Sequence, residues 1–149
     1  MQLQAHGARI AHMSGGYLPD APDGREVTFE LELHFHESQG DEHAALFVTT
    51  EFLEDHQHVL IGGLVYVGSD EDLTSCSDDE LALAVESSGL HHVAYDHCAL
   101  VARQVRGTLG FDLSIEDFTP TPDITIDRMP SVAPSDLESK DSNLDESGG

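Results

Sequence analysis

The stretch "TFELELHFHE", from Thr28 to Glu37, is the most informative part of the sequence for the fold. Apolar and polar residues alternate through it with a period of two, which is typical of a β-strand with one buried and one solvated face. The apolar set begins one residue earlier and consists of Val27, Phe29, Leu31, Leu33 and Phe35. We therefore predict a strand here, with its polar face carrying His34 and His36.

Two further strands are predicted directly after this one. "HAALFVTTEFLE" (43–54) and "VLIGGLVYVG" (59–68) are rich in β-branched and aromatic residues. The short polar stretches "SQGDE" (38–42) and "DHQH" (55–58) separate them. Short turns join antiparallel neighbours, so the pattern predicts a meander. The Gly62-Gly63 pair predicts a bulge or a close approach of another backbone.

The chain before these strands, residues 1–24, is expected to form an N-terminal segment with a short first strand. Gly15-Gly16 and Pro19 interrupt that strand, and the loop "PDAPDG" (19–24) follows it. The sheet would then have four antiparallel strands. Two helices are expected after the strands.

A change of periodicity predicts helices after the strands. Ser77 and Glu80 form a capping-box pattern at the start of a short helix that ends near Gly89. A second helix is predicted from about Val93 to Arg106, with Gly107 as its stop; its apolar stripe is Ala94, Cys98, Val101 and Val105. We therefore expect an α+β domain over residues 25–128, with the helices packed on one face of the sheet. Residues 129–149 are acidic and poor in large apolar side chains, and we expect them to form a disordered tail.

Composition restricts the classes of partner. The chain has 149 residues, with 29 acidic against 6 basic side chains, and a formal net charge of −23. Such a charge repels nucleic-acid phosphates and anionic membranes, so we expect no nucleic-acid partner and no membrane insertion. The two cysteines form no disulfide framework, which favours a reducing cytoplasm. Halophilic solvation and mimicry of DNA charge both remain explanations of the acidic excess.

The histidines offer one metal-binding hypothesis. His34 and His36 point the same way about 6.5–7 Å apart along a strand, and such a pair can chelate zinc or iron. The pattern resembles the first motif of the cupin family, with Asp41 or Glu42 as the following carboxylate. The second cupin motif has no counterpart in the sequence, and alternation alone places polar residues on this face. We expect no cofactor and no catalytic residue, and therefore no enzyme.

Three other pieces of the sequence resemble one family. The strand trio is the first, and "LQAHGARIAHM" near the N-terminus is another. The third is "VAYDHCALVARQVRGTLGFDLSIEDF", Val93 to Phe118, where Tyr95 opens the long helix, Arg106-Gly107-Thr108 end it and the segment from Leu113 to Phe118 follows. Together they resemble the SecB-type export chaperones and their relatives attached to toxin–antitoxin systems. Ala94 and His97 depart from the residues usual around the family's tyrosine.

The resemblance implies an ATP-independent holdase that acts in protein export or in control of a toxin–antitoxin system. It implies a homotetramer, built as a dimer of dimers, that binds unfolded or precursor proteins and either a secretion motor or an antitoxin. A cupin-like metal protein using His34 and His36, and an acidic interaction protein such as a DNA mimic, are the competing hypotheses.

The contact surface is predicted from apolar residues that the alternation places on the second face of the sheet. In the strand 43–54 Phe47 points away from the expected core, and the strand 59–68 is apolar on both faces. We expect these residues, with the segment after the long helix, to bind clients or to form the oligomer interface. The expected surface consists of Phe47, Val65, Tyr66, Leu113, Ile115 and Phe118.

Overall fold

Five strands of the computed structural model, which describes residues 1–37 and 43–130, form one mixed sheet. The strands are β1 (Leu3–Tyr17), β2 (Arg25–His36), β3 (His43–Glu54), β4 (Gln57–Ser69) and β5 (Asp123–Met129). Their order across the sheet is β1-β4-β3-β2-β5. Helices α1 (Asp78–Ser87) and α2 (Leu90–Leu109) lie between β4 and β5 in the chain. The expected α+β class is confirmed.

Strands β2, β3 and β4 form the predicted antiparallel meander. Leu33 of β2 lies opposite Leu46 of β3, which in turn lies opposite Val65 of β4. All three side chains are buried, so the alternation in "TFELELHFHE" does separate a core face from an outer face. Only Asp55 and His56 connect β3 to β4, and both have the positive φ of a tight hairpin turn. The turn expected at 38–42 lies outside the described residues.

Strand β1 is longer than the short strand expected. It runs for 15 residues, through Gly15 and Gly16, and pairs antiparallel with β4 over its whole length. Register shifts lie between Ala5 and Gly7 and between Ile10 and His12, and the second places the extra residue of β1 opposite Gly62-Gly63, where a bulge or a close approach was predicted. Hydrogen bonds to β4 compensate for the weak strand preference of glycine. Residues 3–17 therefore belong to the same sheet as the rest of the domain.

Strand β5 corrects the expectation of four antiparallel strands. Its seven residues pair with β2 in parallel, from Asp123 opposite Glu30 to Met129 opposite His36. A parallel neighbour needs a long crossover connection, and the two helices supply it. The boundary expected at residue 129 falls on the last residue of β5, and residues 131–149 lie outside the described part of the chain.

The helices begin and end at capping residues. Ser77 and Glu80 form the predicted capping box of α1, since each side chain is bonded to the other residue's backbone N–H. Gly89 and Gly110, both left-handed, cap the two ends of α2. The expected stop at Gly107 is wrong: the helix passes through that glycine and extends three residues beyond the predicted end at Arg106.

The core lies between the helices and the inner face of the sheet. Leu31, Leu33 and Phe35 of β2 are buried there, as predicted, and so are Ala94 and Cys98 of α2. Tyr95 also points inward, and its ring contacts the rings of Phe29 and Phe52. Gly63 lets α2 approach the sheet closely, because a Cβ atom there would lie 3.4 Å from the Cys98 sulfur and 3.0 Å from Val48. The same Cβ atom would lie 3.3 Å from the Arg9 carbonyl oxygen, so the predicted close approach of another backbone at the glycine pair is confirmed.

Candidate functional site

The outer face of β3 and β4, which is the face opposite α1 and α2, carries two exposed aromatic side chains. Phe47 and Tyr66 are each 44% exposed. They belong to two neighbouring cross-strand pairs, Phe47 with Leu64 and Ala45 with Tyr66. Their strand neighbours Leu46 and Val65 point inward, so alternation alone places the two rings outside. We call Ala45, Phe47, Leu64 and Tyr66 the outer patch.

The rings of the outer patch are supported by their surroundings. The imidazole of His34 packs edge-on against Phe47, with 4.5 Å between ring centroids. Leu64 is buried although it lies on the outer face. Gly7 of β1 lies beside Tyr66, and a Cβ atom there would be 3.7 Å from that ring. The patch is therefore an apolar surface from which two rings project, each in contact with a neighbouring residue.

Carboxylates border the outer patch on the side of β2 and β5. Glu30 and Glu32 project from β2 on the outer face, and Asp123 and Asp127 are the register partners of Glu30 and His34. The side chain of Glu32 lies 2.9 Å from His34 Nε2, and that of Asp127 lies 3.0 Å from His34 Nδ1. This side of the surface is strongly acidic and adjoins Phe47.

The segment after α2, residues 110–119, is held on the helix side of the sheet. The buried Tyr95 hydroxyl donates a hydrogen bond to the Glu116 carbonyl oxygen at 2.8 Å. Arg106 donates to the Leu113 carbonyl at 3.2 Å, and Arg103 donates to the Asp117 carboxylate at 2.9 Å. Glu116 is also ion-paired with Arg25 of β2. The tyrosine and the arginine that the sequence resemblance singled out thus hold this segment in place.

Three of the six residues expected on the contact surface are buried in the structure instead. Val65 is 1%, Leu113 2% and Ile115 9% exposed, and all three belong to the core of the single chain. Val65 points inward because Tyr66, not Val65, shares the face of Phe47. Phe47, Tyr66 and Phe118 are exposed, and for these three the contact role stays a prediction. Phe118 belongs to the segment on the helix side, so it is not part of the outer patch.

Sequence reasoning missed the exposed apolar residues of the helix layer. Val93 and Leu100 of α2 are 42% and 55% exposed, and Leu83 of α1 is 67% exposed. An open groove of about 450 Å³ lies between α2 and β1, with Met13, Val105 and Leu109 in its lining. Val93 and Leu100 are seven residues apart, which places them on one helix face outside the buried stripe. This seven-residue spacing is the feature of the sequence from which the exposed apolar pair could have been predicted.

Burial shifts the pKa of three titratable side chains among the described residues, Cys98, Tyr95 and His91. Burial raises the pKa of the Cys98 thiol to about 11, so this thiol remains protonated at neutral pH. Burial also raises the pKa of Tyr95 above its ordinary value. Burial and the neighbouring His92 lower the pKa of His91, which favours the neutral imidazole. Each of these shifts favours the uncharged form of the side chain.

The metal hypothesis for His34 and His36 takes a different form in the structure. The two histidines share the outer face, but of the two it is His34 that contacts carboxylates. These are the side chains of Glu32 and Asp127. Asp41 and Glu42, the carboxylates expected after the pair, lie outside the described residues. Within residues 1–37 and 43–130, the group able to hold a metal is Glu32, His34 and Asp127. Asp127 could not be found from the sequence, because β5 was not predicted.

Neither helix in the described part of the chain is long and apolar enough to cross a membrane.

Comparison with known proteins gives a likeness of structure. No protein-family model matches the sequence, and no curated protein matches it either. Among solved structures, the chain is similar to the SecB-like chaperone Rv1957 of Mycobacterium tuberculosis, solved in complex with a ChAD peptide from the antitoxin HigA1 (Rv1956). The TM-score is 0.58 at 9% sequence identity, over 80% of this chain and 88% of that chain. The chain therefore has the fold of a SecB-like chaperone, with five strands in its sheet.

Proposed function

We propose that this protein is an ATP-independent chaperone, a holdase that binds unfolded or precursor proteins and keeps them from aggregating. The observation that carries the proposal is the outer patch, on which Phe47 and Tyr66 remain 44% exposed on a SecB-like sheet. Contiguous exposed apolar surface is uncommon on soluble proteins and marks binding sites. Client binding gives these two rings an apolar partner.

The charge of the chain supports the same function. A holdase must expose apolar groups and still resist self-association, and a net charge of −23 opposes aggregation of like-charged molecules. Glu30, Glu32, Asp123 and Asp127 border the outer patch with negative charge. An unfolded segment with basic residues next to its apolar ones would match this surface in both respects.

We further propose that the chain assembles into a homotetramer, a dimer of dimers. Two features support it. β1 lies at the edge of the sheet, and among the described residues no strand pairs with its outer side, so the edge can pair with a second subunit. The helix layer carries the exposed side chains of Leu83, Val93 and Leu100, which an interface between dimers would cover.

The biological partner is proposed to be an antitoxin or a secretion motor, in the cytoplasm. The similar structure contains a peptide from an antitoxin, which supports the first of these. A role in a toxin–antitoxin system would require a segment of the antitoxin to bind as a client does. A role in export would require a basic surface of the motor to bind this acidic protein.

Two single substitutions test whether the outer patch binds clients. Phe47→Ser and Tyr66→Ser each remove one exposed ring, and Thr49→Ser serves as the matched control because Thr49 is exposed in the same strand. Aggregation of a chemically unfolded client enzyme is followed by light scattering, and the mass of each variant by size-exclusion chromatography with multi-angle light scattering. We expect both variants to lose suppression while retaining the mass of the unmutated protein. Dissociation of the variants would assign the outer patch to assembly instead.

A further inference from the structure

The chain leaves the sheet beside the outer patch. Met129, the last residue of β5, is the register partner of His36, and its carbonyl oxygen accepts a hydrogen bond from the Glu37 N–H at 2.8 Å. Asp127 contacts His34 on the outer face, so alternation places the Met129 side chain on that face as well. The rest of the chain therefore continues from a fixed point on the face that carries the outer patch.

An open hollow of about 300 Å³ lies between this point and the outer patch. Met129, His36 and His43 are part of its lining, and the hollow extends to Ala45. Ala45 belongs to the outer patch and is the register partner of Tyr66. A segment that continues from β5 through this hollow would arrive at the two exposed rings.

The sequence after β5 has apolar side chains at distances that fit this path. In "PSVAPSDLES" (130–139), Val132 is three residues and Leu137 eight residues beyond Met129. Tyr66 lies three strand spacings across the sheet and two residues along it from Met129, which is about 16 Å. Eight extended residues span up to about 26 Å. Leu137 can therefore reach Tyr66, and Val132 can reach the hollow.

Three histidines lie at the end of the outer face where the chain leaves the sheet. His36 is beside the end of β5, and His43 is the register partner of Gly68. The ring of His6 occupies the space that a side chain at Gly68 would take. An imidazole donates through one N–H when it is neutral and through two when it is protonated. This end of the face therefore offers hydrogen-bond donors to carboxylates.

The residues on either side of Leu137 match these donors. They are Asp136 and Glu138, whose ionised side chains act only as acceptors. The acidic pair of Glu30 and Asp123 lies at the opposite end of the pairing between β2 and β5. Of the two ends, the histidine end is the one where an acidic segment meets less repulsion.

We propose that residues 131–138, the return segment, fold back over the outer patch of their own subunit and compete with clients. Val132 would enter the hollow, and Leu137 would pack against Tyr66. This inference rests on the proposed function, because it concerns the regulation of the same surface. A short tether holds the segment at a millimolar effective concentration, so a contact with a millimolar Kd is occupied about half of the time. A client that binds more tightly displaces the segment.

Tryptophan fluorescence tests the contact without any client, because the chain has no tryptophan of its own. Leu137→Trp in the full-length chain places a single reporter in the return segment. Its emission maximum is expected at a shorter wavelength than that of the separate peptide 130–149 with the same substitution. Adding Tyr66→Ser should move the maximum to the value of the peptide. Circular dichroism of each variant checks that the fold is retained.

Tyr17→Ser is the matched control for this shift. It removes a tyrosine ring that is 63% exposed at the other end of the sheet, and it should leave the emission of Leu137→Trp unchanged. Emission equal to that of the peptide would overturn the proposal. A short-wavelength maximum that persists when Phe47→Ser and Tyr66→Ser are both present would overturn it as well.

Client affinity tests the competition. The probe is fluorescein-labelled α-lactalbumin, reduced and carboxymethylated so that it stays unfolded, and binding is followed by anisotropy. The full-length double variant Val132→Ser, Leu137→Ser should bind the probe about three- to tenfold more tightly, as expected if the segment covers the patch for about two thirds to nine tenths of the time. Ser139→Ala, just beyond the return segment, should leave the Kd unchanged.

The two measurements fail separately. Equal affinity of the double variant and the unmutated protein for the probe would contradict the competition. If neither protein binds the probe, the holdase function is wrong, and the contact of the return segment is then decided by the emission of Leu137→Trp alone.

Discussion

Burial determines the chemistry of Cys98. Its sulfur lies between α2 and the sheet, close to Gly63, and burial raises the pKa of the thiol to about 11. The thiolate is the reactive form of cysteine, so Cys98 should be inert at neutral pH. Its position in the apolar stripe of a helix predicted this burial correctly. Cys76, in contrast, is only half-buried.

We predict that the two cysteines differ in alkylation by iodoacetamide at neutral pH. In the folded protein Cys76 should be modified while Cys98 remains free, and both should react in guanidinium chloride. Peptide mapping by mass spectrometry distinguishes the two sites, and Cys76→Ser provides the control in which the folded protein takes up no label. Labelling of Cys98 at the rate of Cys76 would show that the helix does not cover it.

His34 shows the limit of prediction at the level of the residue. Alternation placed it correctly on the outer face, which suggested a solvated side chain. The structure instead brings Asp127 and the Phe47 ring against it. Phe47 lies on β3, which was predicted to pair with the strand of His34, whereas Asp127 lies on β5, which was not predicted. No local pattern could indicate a contact that depends on an unpredicted strand.

At the level of secondary structure, alternation predicted β2, which separates a buried from an exposed face, and the β-branched and aromatic residues of β3 and β4 predicted those two strands. β5 was missed because "DITIDRM" is short and follows the proline-containing "TPTPD" (119–123), and its parallel pairing is not encoded in a local turn. β1 was predicted too short because Gly15-Gly16 is a weak strand sequence in isolation. Its pairing with β4 is a tertiary effect.

The inward face of β2 permits a direct test of the strand assignment. Leu33 is fully buried, between strands β3 and β5 and below the helices. Leu33→Ala should lower the free energy of unfolding by about 2–5 kcal/mol, because it leaves a cavity in the core. Urea denaturation followed by circular dichroism measures the change. Glu26→Ala, at an exposed position of the same strand, should change it by less than about 0.5 kcal/mol. Equal effects of the two substitutions would contradict the assigned faces.

The segment after α2 depends on Tyr95. Its hydroxyl is bonded to the Glu116 carbonyl oxygen, so Tyr95→Phe removes one hydrogen bond and keeps the ring packing. We expect a loss of about 0.5–1.5 kcal/mol in the free energy of unfolding. Tyr66→Phe, at an exposed ring, is the matched control and should have almost no effect. Equal stability of Tyr95→Phe and the unmutated protein would mean that this bond does not anchor the segment.

At the level of the whole molecule, one acidic chain carries apolar groups on both sides of its sheet. The outer patch lies on one side, and Val93 and Leu100 lie on the helix layer. These are two separate surfaces, whereas the sequence suggested one surface that joined Phe47 to the segment after α2. Under the proposed function, client binding would use the outer patch and assembly would use the opposite, helix side of the sheet. The client surface would then stay exposed in the assembled protein.

The central claim is that this chain holds unfolded proteins without nucleotide. The most direct measurement is light scattering from a chemically unfolded enzyme diluted into buffer without ATP, with the full-length protein present at an equimolar subunit concentration. We predict that scattering is strongly suppressed and that the client remains in solution with the protein. An equally acidic protein without a chaperone function is the control for charge alone. Scattering as high with this protein as with that control would contradict the holdase function.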